Sequence, residues 1–160
     1  YEFDAHGVDM NQRYVSDAVI MAPGDRHEFS ADRELVYQPS SVPGARLPHV
    51  WLVRDRQNYS SLDLVGHGRF TLLTGIGGEG WRAAAKAADE ALGLPVAVFT
   101  IGPDGDYDDP FGDWARVRGV EDEGAVLVRP DQVVAWRAPT RDGDRTGLLA
   151  AALKRILGRA

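Results

Sequence analysis

The sequence of 160 residues contains no cysteine. This absence excludes disulfides, thiolate metal sites and thiol redox chemistry within these residues. No apolar run reaches the roughly 20 residues that span a bilayer, so no membrane partner is expected, and without a visible export signal the cytoplasm is the expected location. The net charge of −6 shows a shortage of basic residues. Nucleic acid is therefore an unexpected partner, because phosphate binding needs a basic surface.

The remaining composition, 44% hydrophobic and 26% charged residues, is typical of a globular protein that can bury a core. The length predicts one domain with a tail. The sequence opens on Tyr1 without a methionine, and we expect a C-terminal fragment of a longer protein. Residues 1–44 show no sustained period and end in a turn-rich stretch, Tyr37–Gly44. We therefore expect a tail or linker over residues 1–44 and a compact domain over residues 45–160.

The central stretch of the sequence combines a strand, a tight turn and a helix. Phe70–Thr74 is a short apolar run, as in a buried strand, and a glycine-rich turn follows over Gly75–Gly80. A helix is expected next, because apolar residues recur on one face, followed by the helix terminator Gly93. The residues on that face are Trp81, Ala84, Ala85, Ala88 and Leu92.

The other predicted elements complete a recognisable order. Strands are expected at Pro48–Val53, Ser60–Val65, Pro95–Ile101, Gly124–Arg129 and Val133–Ala138, and helices at Phe111–Arg118 and Thr146–Leu157. The central βαβ unit requires a parallel strand pair with a right-handed crossover. A hairpin around Pro130–Gln132 then makes the same sheet mixed. The predicted fold class is α/β: a thioredoxin-like sandwich with a mixed central sheet flanked by helices and no redox cysteines.

Three stretches in this order resemble one protein family: Pro43–Leu52 (PGARLPHVWL), Leu62–Gly75 (LDLVGHGRFTLLTG) and Gly124–Ala138 (GAVLVRPDQVVAWRA). It is the C-terminal region of FAD-dependent aromatic-ring hydroxylases of the phenol hydroxylase type. The upstream segment His6–Val19 resembles the stretch that leaves the flavin and substrate domain in those enzymes. At Gln132 the sequence departs from the family, which often has glycine there.

The resemblance implies a parent enzyme that uses FAD, NAD(P)H and oxygen to hydroxylate phenolic rings, chlorinated ones included. It also implies that this thioredoxin-like domain packs on its own N-terminal flavin domain and serves subunit contacts in a homo-oligomer. The flavin-binding motifs of the family lie outside these residues. No catalytic, cofactor-binding or metal-binding residue can therefore be transferred to this sequence.

An alternative comes from Gly75, Gly77 and Gly80, which satisfy G-x-G-x-x-G between a strand and a helix. Asp104 follows the next strand, roughly where a ribose-binding acid belongs in a dinucleotide site. Against this, Glu79 at the start of the helix would repel a pyrophosphate. We favour a glycine-rich turn at the vestigial redox position of a thioredoxin-like domain, with a nucleotide-binding module as the alternative.

An acidic loop invites a calcium interpretation through Asp104, Asp106, Asp108, Asp109 and Asp113. An EF-hand loop needs glycine at its sixth position and glutamate at its twelfth. Counted from Asp104, these positions hold Asp109 and Ala115, so a solvated loop is the expectation.

The other candidate side chains favour structural roles. His6, His27, His49 and His67 lack ligand spacing, and Ser60 and Ser61 lack a nucleophile-elbow context. Core packing is expected for the tryptophans Trp51, Trp81, Trp114 and Trp136. Trp114 is the favoured partner anchor among them, because Asp113 and Arg116 flank it.

Overall fold

The computed structural model describes residues 5–139 and 143–159. Residues 1–4, 140–142 and 160, which belong to the expected tail and domain, lie outside the described residues. The elements follow in chain order as α1 His6–Met10, β1 Trp51–Arg54, β2 Gln57–Ser60, β3 Phe70–Thr74, α2 Gly80–Leu92, β4 Val96–Thr100, α3 Asp113–Val117, β5 Ala125–Val128, β6 Val134–Ala138 and α4 Arg145–Ile156.

A mixed sheet with the strand order β4-β3-β5-β6 forms the centre of the domain. Strands β3 and β4 are parallel, with Phe70 opposite Val96, and α2 connects them. Strand β5 pairs antiparallel with β3, and β6 pairs antiparallel with β5. This arrangement is a thioredoxin-like sandwich and confirms the predicted α/β fold with a mixed sheet.

Side chains on the two faces of the sheet build two cores, because successive residues of a strand point to opposite faces. Leu72 and Leu127 belong to the core that includes the buried faces of α2 and α4. Leu73 and Val126 belong to the other core, which includes Leu52 of β1. Strands β3 and β5 are buried along their whole length, as expected of central strands covered on both faces.

Helix α2 follows the sequence pattern closely. The predicted stripe from Trp81 to Ala88 is buried, and the helix ends at Gly93, whose φ of +61° is a left-handed cap. Only glycine adopts that conformation without steric cost. The longest helix of the described residues has 13 residues, and none there has the length and apolarity needed to cross a membrane.

The predicted second strand at Ser60–Val65 is wrong. Strand β2 lies earlier, and Ser61–Leu64 is a 3₁₀ helix. The hydroxyl of Ser60 accepts from the Leu62 N–H at 3.1 Å, and the Asp63 carboxylate accepts from the Ser60 N–H at 2.8 Å. This reciprocal cap starts a helical turn and ends the strand.

An N-terminal layer, defined as residues 5–47, covers the outer edge of β6. The Leu47 N–H donates to the Gln132 carbonyl at 2.8 Å, and the Ile20 N–H donates to the Ala135 carbonyl at 2.7 Å. Edge strands expose unpaired backbone groups that favour association with other chains. The layer satisfies part of this edge with groups of the same chain.

Candidate functional site

The residues proposed for a nucleotide site follow the two parallel strands and meet at one edge of the sheet. The glycine turn follows β3, and the loop that carries Asp104 follows β4. The Ile101 N–H donates to the Thr74 carbonyl at 2.8 Å, which holds the two strand ends together. Ligands of open α/β sheets bind at this edge. The contacts within the turn therefore decide whether it can receive a ligand.

The first half of the turn is occupied by a neighbouring loop of the same chain. The Gly75 N–H donates to the Asp122 carbonyl at 2.8 Å, and a β-carbon at Gly75 would lie 2.6 Å from that oxygen. Gly77 has a φ of +79°, and a β-carbon there would lie 2.7 Å from Cγ of Glu123. A carboxylate thus stands where a dinucleotide site needs open backbone for a pyrophosphate.

The second half of the turn is also filled by protein atoms. A β-carbon at Gly78 would overlap the Thr74 side chain, and one at Gly80 would overlap the guanidinium of Arg145. That guanidinium lies 5.5 Å from the centre of the Trp81 ring. Packing within the chain accounts for glycine at both positions. The backbone of the turn thus lies against Glu123, Thr74 and Arg145 of the same chain.

Arg145, the first residue of α4, lies against the glycine turn. Arg145 donates to the Gly77 carbonyl at 3.3 Å, and the Trp81 indole N–H donates to the Glu123 carbonyl at 2.9 Å. A cation over the face of an indole ring is favourable. These bonds fix the turn against α4 and the loop before β5, while Glu79 stays exposed at the start of α2.

The acidic loop uses its carboxylates for different local partners. Asp106 accepts from the Thr100 N–H at 2.7 Å and pairs with Arg82. Asp109 accepts from the Ala115 N–H at 3.0 Å, whereas Asp104 is exposed with a φ of +60°. Over residues 5–139 and 143–159, no three acidic or histidine side chains are grouped so that they could hold a metal ion.

Histidine and serine side chains form local structural contacts. Nδ1 of His49 lies 2.7 Å from the hydroxyl of Ser60, and Nε2 of His67 lies 3.1 Å from the Asp63 carbonyl oxygen. The hydroxyl of Ser61 donates to a backbone carbonyl. Burial, followed by repulsion from nearby arginines, lowers the pKa of His27. This histidine lies in the N-terminal layer, away from the glycine turn.

The proposed anchor role of Trp114 is wrong, because its side chain is only 1% exposed. It packs with Leu73 and Val126 on the sheet, while its charged neighbours face outward. Trp51 is the exposed tryptophan, at 50%, and contacts His49 edge-on with ring centres 4.7 Å apart. The expected core packing is therefore wrong for Trp51, which lies on the separate two-stranded hairpin β1–β2.

The hairpin between β5 and β6 turns at Gln132. Gln132 has a φ of +69°, the left-handed conformation that favours glycine. Its side-chain oxygen accepts from Arg46 of the N-terminal layer at 2.8 Å. The glutamine therefore turns the chain in a left-handed conformation and bonds to the layer.

Sheet order, paired cores and a cysteine-free turn before α2 define a thioredoxin-like domain. The chain belongs to the aromatic-ring hydroxylase C-terminal family, and its residues 40–160 match the sequence pattern of that family. It is 48% identical over 161 residues to a 2,4-dichlorophenol 6-monooxygenase of Cupriavidus pinatubonensis, covering 99% of this chain and 27% of that protein. It is 41% identical to a phenol 2-monooxygenase of a Pseudomonas species, covering 90% of this chain and 24% of that protein.

Solved structures of flavoproteins share the fold. The flavin-dependent monooxygenase PieE, in complex with FAD and substrate, superposes with a TM-score of 0.89 at 46% identity, covering 98% of this chain and 27% of that one. Aklavinone-11 hydroxylase with FAD and aklavinone gives a TM-score of 0.79 at 37% identity, covering 92% and 26%. The chain therefore spans about a quarter of the length of these relatives.

Proposed function

We propose that this chain is the C-terminal accessory domain of a FAD-dependent, NAD(P)H-using monooxygenase that hydroxylates phenolic aromatics, chlorinated phenols among them. The domain itself is non-catalytic, packs on the N-terminal flavin domain and contributes to homo-oligomer contacts. One observation carries this proposal: 48% identity extends over 99% of the chain, whereas the chain covers only 27% of that 2,4-dichlorophenol 6-monooxygenase.

The contacts at the strand ends support the non-catalytic role. Hydroxylation by a flavin requires the cofactor and the ring in one enclosed site. Here the turn at the sheet edge is filled by Glu123 and Arg145, and Asp106 is held by Arg82. We therefore assign FAD, NAD(P)H and substrate binding to the remainder of the parent protein.

Activity measurements test the proposal on two proteins. The full-length protein should contain FAD and oxidise NAD(P)H faster when 2,4-dichlorophenol or phenol is added, with formation of the hydroxylated product. The 160-residue chain should show no turnover with added FAD. Hydroxylation by the chain alone would refute the accessory role. A full-length protein without flavin or phenol-stimulated oxidation would refute the parent activity.

The alternative function, a nucleotide-binding module, rests on the position of Gly75–Gly80 between β3 and α2. If this turn binds a nucleotide, removing the carboxylate of Glu79 should raise the affinity, because less negative charge would face the phosphates. Glu79→Gln and the control Glu90→Gln, near the other end of α2, should be titrated with NADPH. Tighter binding by the first variant alone would favour this module, and no saturable binding by either would refute it.

A further inference from the structure

Exposed apolar side chains are concentrated in the N-terminal layer. Among the described residues, ten large apolar side chains are exposed, and six of them lie in residues 8–36. These six are Val8, Tyr14, Val15, Met21, Leu35 and Val36. Single exposed apolar residues are common on protein surfaces, but a group of them within one short segment indicates an interaction surface.

The opposite side of the layer is already fixed to the domain. Its residues Val19, Ala45 and Leu47 are buried, and the carboxylate of Asp25 pairs with Arg137 of β6. The layer therefore has one side bonded to the sheet and another that presents apolar groups to the outside.

Three of the exposed residues lie on two backbone segments that are bonded to each other. The Val8 N–H donates to the Glu34 carbonyl at 3.1 Å, which joins α1 to the turn that carries Leu35 and Val36. The buried amide of Asn11 donates to the Val36 carbonyl at 2.6 Å. We call Val8, Leu35 and Val36 the layer patch; their exposures are 53, 37 and 47%.

Arginine and aromatic groups lie in the same N-terminal layer. The guanidinium carbons of Arg13 and Arg33 each lie 5.1 Å from the centre of the Phe29 ring. Interfaces are enriched in aromatic residues and arginine, with an apolar centre and a polar rim. The composition of the N-terminal layer fits a protein partner.

The similarity to a longer protein supports the choice of one partner for the patch. The family match begins at residue 40, whereas the similarity to the monooxygenase of Cupriavidus pinatubonensis extends over 99% of the chain. The layer patch therefore lies in sequence that this relative shares with the chain outside the family match. Nearly three-quarters of that relative has no counterpart in this chain, which is enough protein to supply a covering domain.

We propose that the layer patch is the docking surface for the N-terminal flavin domain of the same polypeptide. The N-terminal layer is then an adaptor, bonded to the sheet on its inner side and covered by the flavin domain on its outer side. The glycine turn remains outside this contact. This inference rests on the proposed function, because it takes a flavin domain as the partner.

Cysteine labelling tests the docking directly, since the chain has no cysteine of its own. Val36→Cys is compared with Leu148→Cys on α4. Leu148 is a matched control because its native side chain is 42% exposed. Labelling rates are measured by peptide mass spectrometry in the 160-residue chain and in the full-length protein. Val8→Cys provides a second patch variant, and thermal unfolding establishes that each variant is folded.

In the 160-residue chain both thiols should react at similar rates. In the full-length protein the Val36→Cys thiol should react at about one-tenth of that rate or below it, because thiol reactivity requires access. The rate of Leu148→Cys should be the same in both proteins. Equal rates for Val36→Cys in both proteins would overturn the proposal. Protection already present in the 160-residue chain and lost on dilution would identify a second copy as the occupant and would also overturn it. Flavin content, read from visible absorbance, tests the parent function separately.

Discussion

Replacing Asp25 by asparagine should release the N-terminal layer from the sheet. The Asp25 carboxylate pairs with the guanidinium of Arg137 on β6, and the two side chains are only 11% and 13% exposed. Arg137 also donates to the hydroxyl of Ser41 at 3.4 Å. Gly119 leaves room for the guanidinium, since a β-carbon there would overlap it. Without the carboxylate, a largely buried cation loses the charged partner that it has among the described residues.

The size of the effect follows from this burial. Removing one partner of a buried ion pair costs roughly 3–5 kcal/mol, and the remaining amide oxygen of asparagine places Asp25→Asn near the lower limit, about 3 kcal/mol. For a protein of this length, that corresponds to a fall in Tm of roughly 6–12 °C. An exposed pair provides the comparison. Lys86 and Glu90 lie 4.0 Å apart with 80% and 69% exposure, so Glu90→Gln should cost less than about 0.5 kcal/mol.

Denaturant unfolding and limited trypsin digestion of both variants measure the effect. Asp25→Asn should unfold at lower denaturant and be cleaved faster after Arg26, which is exposed within the layer. Glu90→Gln should match the wild type in both assays. If Asp25→Asn changes the free energy of unfolding by no more than Glu90→Gln, the ion pair does not hold the layer to β6, and this reasoning fails.

Other positions give independent predictions. Arg56 has a φ of +64° in the two-residue hairpin turn, so Arg56→Gly should raise the free energy of unfolding by about 1 kcal/mol in urea titrations; no gain would contradict the turn conformation. Gly78→Ala should lower it by roughly 1–3 kcal/mol, because the added methyl group overlaps Thr74; wild-type stability would show that the turn has space. Because burial lowers the pKa of His27, the folded state takes up a proton at this ring at lower pH than the unfolded chain does. Stability should therefore decrease as pH falls through about 6.5, where the unfolded chain takes up a proton, and His27→Gln should flatten that decrease in urea titrations at several pH values. If His27→Gln leaves the dependence of stability on pH unchanged, this prediction is wrong.

Local sequence signals predicted the centre of the domain well. Phe70–Thr74 was predicted as a strand with its observed bounds, and the helix that follows begins one residue before the predicted Trp81. Both elements carry a strong period and end at glycines, so neighbouring residues determine them. The edge that joins the glycine turn to the Asp104 loop was also predictable, because parallel strands must end on the same side.

Long-range contacts determine what the sequence did not reveal. Trp114 has charged neighbours in sequence, but one helical turn directs its ring into the sheet core. The N-terminal layer has no period because its conformation depends on backbone bonds to β6 and to the turn before it, more than 80 residues away for Leu47 and Gln132. The contact of Arg145 with the glycine turn likewise joins residues far apart in sequence. The capping box at Ser60 was readable in the sequence as Ser-x-x-Asp, but it was interpreted as a strand.

A flavin titration of the purified 160-residue chain tests most directly whether this domain is an accessory domain without a cofactor of its own. FAD fluorescence is followed as the chain is added, and NADPH is titrated as a second ligand. The filled turn at Gly75–Gly80 predicts no saturable change with either ligand. Saturable, stoichiometric binding of FAD or NADPH would contradict the account and would make the turn a nucleotide site.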